Sequence, residues 1–489
     1  MKRLRPLMLG GTGSDVGKSL LAAGLCRIFR QDGYSPAPFK AQNMALNSFA
    51  TPEGFEIGRA QAVQAEAAGV PCHTDMNPVL LKPQSDSTCQ IVVDGVPAGT
   101  YTSARLYDSE VRAGLRRGVC GAFDRLSSRY NPIVMEGAGS VAELNLQDTD
   151  IVNMPMAAYA GAAVVLVADI DRGGVFASAY GSIMLQPERF RSLIKGIIVN
   201  KFRGDMRLFD RGRRMLEEYC GVPVVGVVPY MPDIHVEEED SVALDGKPVA
   251  PVSGAVNVAV VRLPHISNFT DFNALEHTPG VNVYYASEAK ALAGADIIVI
   301  PGTKTTVSDL KWLKNSGMDT ALTGLAAGGV PVVGICGGYQ MMGRVVDDPD
   351  GMEGAAGSVD GLGLLPVTTV ISADKKTRRI EFEMMTAAGS RIAGRGYEIH
   401  MGRTRLDSGQ TALCRLSDGT YDGCRAGNCY GTYLHGFLDN SEVIAWLLPQ
   451  LSGRVADYGA YRQRQYDLLA ERLREHLNMD MIYQMMSYD

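Results

Sequence analysis

Short runs of consecutive apolar residues, each stopped by a Gly-rich or polar corner, recur along the first half of the chain. They read LRPLMLGG, NPIVMEGAGS, AAVVLVADIDRGG, IKGIIVNKFRGD and VPVVGVVPY. Stretches with helical spacing separate them. Unbroken β-branched runs alternating with helices predict a parallel sheet covered on both faces, since such strands have no polar face to turn towards water. Ligands of such sheets bind beyond the carboxyl ends of the strands, where these corners fall.

The rhythm breaks at VEEEDSVALDGKPVAPVSGAV, rich in acid, Gly and Pro, and a second α/β series follows with VNVAVVRLP, VNVYYA, ADIIVIPGT and VPVVGICGG. A more strand- and loop-rich region leads to NCYGTYLHGFLDN, and the chain closes on the helical pattern YDLLAERLREHLNMDMIYQMM. The expected division is one α/β domain over residues 1–235, a linker over 236–254, a second α/β domain over 255–444 and a C-terminal helical extension over 445–489. No internal repeat or low-complexity tract interrupts it.

Composition narrows the classes. A length of 489 residues suits two to four domains. With 46% hydrophobic and 21% charged residues the chain has the balance of a globular protein, which excludes disordered and fibrous classes. The net charge of -7, without a Lys/Arg patch, argues against a nucleic-acid partner. No apolar run approaches the roughly 18 residues of a membrane span. The N-terminal PLML is too short for a signal peptide and reads as a first strand. Nine scattered cysteines without a CxxC pair fit a reduced, cytoplasmic setting. The pattern leaves the oligomeric state open and is compatible with a homo-oligomer.

The first corner, GGTGSDVGKS, carries chemistry. A phosphate-binding loop of the GxxxxGKS kind has a glycine five residues before its second glycine. Here Thr12 holds that place before Gly17, and the glycine stands one earlier at Gly11. The strand RPLML, the glycines and the helix KSLLAAGLCRIFRQ nonetheless come in the order that lets backbone N–H groups and a helix N-terminus wrap a phosphate. The candidate ATP-binding residues are Thr12, Gly13, Asp15, Val16, Gly17, Lys18, Ser19 and Asn200. Lys18 would reach the β- and γ-phosphates, and Asn200, ending the IIVN run, would face an adenine edge. Ser19 and Glu136, the acid ending the IVME run, are the candidate Mg²⁺ ligands. Lys40, Gln42, Asn43 and Asn47 of FKAQNMALNS, with Asp169, Asp171 and Arg172, are candidates for the γ-phosphate and a substrate carboxylate.

In the second half, VPVVGICGGYQMMG places Cys336 between a strand and a helix, flanked by Gly334, Gly337 and Gly338. A thiol at such an elbow is exposed to substrate and favoured as thiolate by the helix N-terminus. Near neutral pH it still needs a base, and His435 of YLHGF is the candidate. The N–H of Gly337, with that of Gly302 or Thr303, would form an oxyanion hole. His400 is expected in a structural or substrate-contacting role.

The two motif sets carry a resemblance. GICGGYQMMG with YLHGF is similar to class I glutamine amidotransferases, and GTGSDVGKS with VMEGAGS resembles the ATP site of dethiobiotin synthetase and its relatives. Fused in this order they resemble the cobyrinate amidating family, as do PFKAQNMALNS, DMNPVLLKPQSD, VADIDRGGVFAS, VNKFRGD, LPHISNFTDF and GYEIHMGRT. The resemblance covers roughly residues 5 to 440. It implies an α/β architecture: a P-loop-type doubly wound parallel sheet domain, then a flavodoxin-like class I glutamine amidotransferase domain. It further implies ATP, Mg²⁺ and L-glutamine as nitrogen donor, with a corrinoid substrate: amidation of the b, d, e and g carboxylates of adenosylcobyrinic acid a,c-diamide. Ordinary class I enzymes continue their histidine into Pro-Glu; here Gly436 and Phe437 follow His435, which leaves open what orients the imidazole.

Two other readings stand beside this one. The family member that amidates the a and c carboxylates has the same domain order, but FKAQNMALNS and ISNFTDF favour the b, d, e, g enzyme. A partition-type ATPase switch with a non-catalytic amidotransferase domain would carry a lysine in a KGG sequence, whereas Leu9 precedes Gly10-Gly11 here.

Overall fold

The computed structural model describes all residues except 1, 85–86, 238, 240, 354–355, 387–388 and 489. Ser85 and Asp86 of the PQSD stretch, and Glu238 and Asp240 of the expected linker, lie outside the described residues. Two units divide the chain, and neither is one continuous segment. The first comprises Met1–Ala45, Ile57–Glu237 and Arg462–Asp489; the second comprises Leu46–Glu56 and Glu238–Tyr461.

In the first unit β1 (Leu7–Gly11), β2 (Ala37–Phe39), β3 (Ile133–Glu136), β4 (Ala163–Asp169), β5 (Ile194–Phe202) and β6 (Val224–Pro229) form one sheet in the order β6-β5-β4-β1-β3-β2. Every neighbouring pair is parallel. β1, β3 and β4 are buried along their whole length, as runs apolar on both faces require. After β1 the chain moves out to β2, returns to β3 and then crosses β1 to β4, which makes the end of β1 a topological switch point. Leu9 lies opposite Glu136, Gly11 opposite Val167, and Asp169 opposite Asn200. The register therefore brings the Gly-rich loop, Glu136, Asp169 and Asn200 to the same carboxyl edge.

Helix α1 (Lys18–Gln31) buries Leu21, Leu25 and Ile28, and α2 (Arg59–Ala68) follows the second strand in sequence. The same core takes in Tyr466, Leu469, Leu473, Ile482 and Met486 from the helices Tyr458–His476 and Met479–Met486. Arg462 Nη1 donates to buried Glu237 at 3.2 Å, which also accepts from Arg59 Nε at 2.7 Å. The expected C-terminal extension is thus divided, its last part completing the first unit. A small sheet of Gln42–Met44, Val79–Pro83, Thr88–Val93 and Val96–Thr102 adds to this unit.

The second unit is built on β7 (Val256–Val261), β8 (Val281–Ala286), β9 (Ile297–Ile300), β10 (Val332–Ile335), β11 (Cys424–Ala426) and β12 (Cys429–Thr432). Their order is β8-β7-β9-β10-β12-β11, parallel except for the terminal β11–β12 hairpin. Helix α3 (Thr306–Asn315) follows β9, and the short α4 (Gly337–Met341) follows β10. A second sheet is dominated by the long antiparallel hairpin of Val367–Met385 with Arg391–Leu406. Leu244, within the stretch expected as a linker, is buried in this unit's core. No helix among the described residues is long and apolar enough to cross a membrane.

Removal of the terminal helices should unfold the first unit. Each large side chain lost from its core is worth about 1.5–3 kcal/mol of burial, so five together rival the roughly 5–15 kcal/mol that holds a domain folded. A chain ended after Tyr461 should be insoluble, or lose the cooperative melting of the first unit in calorimetry. A truncated chain with that transition intact would contradict the packing described.

Candidate active site

At the end of β1 the chain turns through Gly10–Gly17 into α1. Asp15 and Gly17 adopt positive φ values of 56° and 93°. At Gly17 a side chain would run into the Asn200 amide, so this left-handed corner is open to glycine alone. Asn200 itself donates from Nδ2 to Val16 O at 2.8 Å, pinning the loop to the end of β5. Thr12 N donates to Val167 O at 3.0 Å, which ties the other arm to β4.

Lys18 folds back over this loop, donating from Nζ to Gly13 O at 2.9 Å and to Gly139 O at 3.0 Å. Burial lowers its pKa to about 8, with Glu136 opposing the shift. Glu136 is 2% exposed at the end of β3. Its Oε1 accepts from Ser19 Oγ and from Lys40 Nζ, each at 2.8 Å, and its Oε2 accepts from Gln64 Nε2 of α2 at 2.7 Å. Burial alone would raise its pKa; the Lys40 charge and the three donors outweigh it and hold the carboxyl below its usual range. The result is an anionic oxygen pair beside a serine hydroxyl, next to the Gly-rich loop on which Lys18 lies. Such a set can hold a divalent cation and a polyphosphate together.

The acidic corner after β4 closes the far side. Buried Asp169 accepts from Asp171 N at 2.8 Å and lies 3.3 Å from Lys201 Nζ. Arg172 Nη2 donates to Asp15 Oδ2 at 2.7 Å, and Asp171 pairs with Arg203 Nε at 2.8 Å. Of the FKAQN stretch, Lys40 reaches the Glu136 cluster. Gln42 instead accepts from Arg112 Nη1 at 2.8 Å, and Asn43 donates to Gln61 Oε1 at 3.1 Å. Asn47 belongs to the second unit. The chain leaves the first unit at Leu46, and Asn47 Oδ1 accepts from Asn268 N at 2.6 Å while Ser48 N donates to Asn268 Oδ1 at 2.9 Å.

In the second unit Cys336 stands at the turn from β10 into α4 with φ 52° and ψ -109°. A non-glycine residue there carries about 1–3 kcal/mol of strain, which the surroundings must impose. Two backbone hydrogen bonds do so: Cys336 N donates to Thr432 O at 2.8 Å, and Gln340 N donates to Cys336 O at 3.1 Å. The turn packs so tightly that a side chain at Gly338 would strike the Ile300 carbonyl. The thiol lies 3.6 Å from Ile399 O. Gly337 opens α4, so its N–H belongs to those a first turn leaves without an intrahelical acceptor. A Cβ placed on Gly337 would lie 3.1 Å from Thr303 N, and one on Gly302 would lie 3.2 Å from the His435 ring. Side chains at these two positions would crowd Thr303 and the His435 ring.

His435 follows β12, with both its backbone groups paired to Tyr397 at 2.9 and 3.0 Å. It is 1% exposed. Its Nδ1 lies 2.7 Å from Asp271 Oδ2, while Gly436 N donates to the other oxygen, Oδ1, at 2.9 Å. With Nδ1 engaged, Nε2 is the ring nitrogen left for the thiol. Burial would lower the imidazole's pKa; the Asp271 carboxylate, with hydrogen bonds to Asp271 and Cys336, overrides it and raises the value to about 10. His400 is held away from this exchange: its Nδ1 lies 2.9 Å from Gly402 O and its ring stacks on Tyr433 at 3.7 Å.

Two family descriptions match the chain. Residues 7–242 fit the CobQ/CobB/MinD/ParA nucleotide binding domain, and residues 257–443 fit the CobB/CobQ-like glutamine amidotransferase domain. A cobyric acid synthase of Phocaeicola vulgatus is 57% identical, with 99% of both chains covered. One from Bacteroides fragilis is 56% identical, again over 99% of both. One from Photorhabdus laumondii is 46% identical over 98% of both.

The chain belongs to the cobyric acid synthase family. It is therefore a glutamine-dependent amide ligase of cobalamin biosynthesis, carrying a nucleotide-binding and an amidotransferase domain in that order. Its expected α/β fold holds in both units. In this member of the cobyric acid synthase family, sequence spacing brought out Cys336 and His435 but not Asp271, which lies 164 residues before the histidine. The only trace is an acid among apolar residues in SNFTDF, a stretch conspicuous for its length rather than for that acid. Gln64 was equally hidden, one amide in a helix of alanines and glutamines.

The histidine's raised pKa has a measurable sign. Its stabilising contribution is complete below the ordinary histidine value near 6.5 and is lost as pH rises through about 10. In urea unfolding, the stability advantage of wild type over His435→Gln should be level at low pH and shrink steadily across that window. An advantage that grows with pH there would contradict the assignment.

Proposed function

We propose that this chain amidates the b, d, e and g carboxylates of adenosylcobyrinic acid a,c-diamide, using ATP and glutamine, to give adenosylcobyric acid. What carries the reading is full-length similarity to cobyric acid synthases in a chain with both a Lys18–Glu136 cradle and a Cys336–His435 pair.

The two halves answer a single chemical problem. A carboxylate resists ammonia because it is anionic and its oxygen is a poor leaving group. In the first unit a substrate carboxylate oxygen attacks the γ-phosphorus of ATP; the bond to the β,γ-bridging oxygen breaks, ADP departs and an acyl phosphate remains. Such a step needs positioning and charge neutralisation more than covalent help. The loop amides of Gly13–Gly17 and the Lys18 ammonium supply both, while Thr12 ties the loop to β4. Asn200 holds the loop and faces the base. Lys40, Asp169, Asp171 and Arg172 line the approach of the carboxylate, with Gln42 and Asn43 behind them.

The Ser19 hydroxyl and Glu136 carboxylate suit Mg²⁺, a hard cation that takes few protein oxygens and completes its shell with water and phosphate. When bound, the ion adds positive charge beside the transferring phosphoryl group.

In the second unit the Cys336 thiolate attacks the side-chain amide carbon of glutamine. The N–H groups of Gly337 and of Gly302 or Thr303 receive the oxyanion. His435 gives its proton to the departing ammonia, leaving a thioester. It then draws a proton from water, whose attack releases glutamate and restores the thiol. Ammonia attacks the acyl phosphate carbon and phosphate leaves as the amide forms. Because ammonia in neutral water is mostly protonated and non-nucleophilic, its transfer must be shielded from solvent.

Product masses test this. With the diamide, ATP, Mg²⁺ and glutamine, wild type should exchange four acids for amides in succession. Cys336→Ala should lose the glutamine-dependent reaction by roughly 10³-fold or more and keep it with concentrated ammonium salt. Lys18→Ala should lose both. An unchanged corrinoid with wild type would remove the substrate assignment, and loss of both reactions in Cys336→Ala would overturn the division of labour.

A further inference from the structure

We infer that Asp271 is the positioning residue of the glutaminase site, the carboxylate that fixes the ring orientation and tautomer of His435. The inference rests on the reading of Cys336 and His435 as nucleophile and base. Neither residue following His435 is acidic, since the chain continues as Gly436-Phe437. The orienting group has instead come from the turn Phe269–Phe272, beyond the end of β7.

Geometry supports a directional role. Asp271 uses both oxygens on one target, Oδ2 facing His435 Nδ1 at 2.7 Å and Oδ1 accepting from Gly436 N at 2.9 Å. The carboxylate thus grips the ring and the backbone that carries it, so ring torsion and ring position are set together. Both partners are at most 3% exposed. A buried carboxylate with one hydrogen-bonding face left open would be costly, and here the histidine and the amide close it. A face of the ring stacks on Tyr397, centroids 5.3 Å apart.

The turn is itself fixed. Asn268 takes the left-handed conformation, φ 52°, which asparagine tolerates better than most residues. Its O accepts from Asp271 N at 3.0 Å. Its side chain and its backbone N–H exchange hydrogen bonds with Ser48 N and Asn47 Oδ1 at 2.9 and 2.6 Å. Asn47, expected beside the phosphates, thereby acquires a place in the second unit: it braces the turn that carries Asp271.

The experiment compares glutamine- and ammonia-dependent amidation in wild type, Asp271→Asn and Asp271→Glu. By analogy with an asparagine replacing the carboxylate of a serine-protease triad, which costs about 10⁴-fold, Asp271→Asn should lower glutamine-dependent kcat by roughly 10²-fold or more. Its KM for glutamine should stay within about threefold, because the group acts on the transition state and not on ground-state binding. Ammonia-dependent kcat should remain within about twofold of wild type, and Asp271→Glu should recover part of the lost rate. A glutamine-dependent kcat left within about threefold, or an equal fall with both nitrogen sources, would overturn the inference. If Asp271→Asn does not fold, ¹⁵N-histidine-labelled wild type decides: His435 should carry its proton on Nδ1, and an unprotonated Nδ1 would overturn it. Failure here while Cys336→Ala still behaves as described leaves the nucleophile assignment standing. Glutamine-dependent activity in Cys336→Ala would instead remove the reading beneath it.

Discussion

A carboxylate taken out of water must be met by donors, and each unit of this chain is organised around one. Glu136 sits at the end of β3 with Lys40, Ser19 and Gln64 upon it. Asp271 sits beyond β7 with the His435 ring and the Gly436 amide upon it. In both cases the fold supplies the burial and the neighbours supply the charge or hydrogen bonds that make burial tolerable. The consequences run in opposite chemical directions. Glu136 stays anionic and gathers cationic and hydroxyl groups where a nucleotide's phosphates would lie. Asp271 keeps a proton on an imidazole next to a thiol, which is what a thiolate nucleophile needs.

Parallel sheets explain why such groups gather where they do. At the carboxyl edge of the first sheet, register alone aligns the loop after β1 with Glu136, Asp169 and Asn200. In the second sheet, Ile335 pairs with Thr432, which sets Cys336 one residue past one strand and His435 three past its neighbour. Several turns beside these groups take the left-handed region: Cys336 at positive φ, Gly17 in the corner before α1, Asn268 before the carboxylate's turn. These are short-range distortions held by backbone hydrogen bonds, so the candidate site groups are placed by the strands and turns that carry them.

What was legible in the sequence follows the same logic. The apolar runs became the strands of both main sheets because a strand buried on both faces leaves no other pattern. The displaced glycine of GGTGSDVGKS left the strand–loop–helix order intact, with Gly17 taking the left-handed corner. Local spacing also exposed Cys336 and His435, each at a glycine-flanked corner. Contacts across long sequence separations stayed hidden. Asp271 meets His435 through the sheet, not through any motif. Asn47 lies only seven residues after Lys40, yet the chain has already passed into the other unit there. The terminal helices read as an appendage, whereas Tyr466, Leu469 and Leu473 complete the core beneath α1.

The proposed amidation passes through one intermediate, the acyl phosphate that makes a carboxylate receptive to ammonia. Substrate carrying ¹⁸O in its free carboxylates gives the most direct test, with the released inorganic phosphate read by mass spectrometry. If the carboxylate oxygen attacks phosphorus and leaves with it, each amide formed delivers one ¹⁸O atom to phosphate. Phosphate free of ¹⁸O, while amides accumulate at the normal rate, would contradict the mechanism.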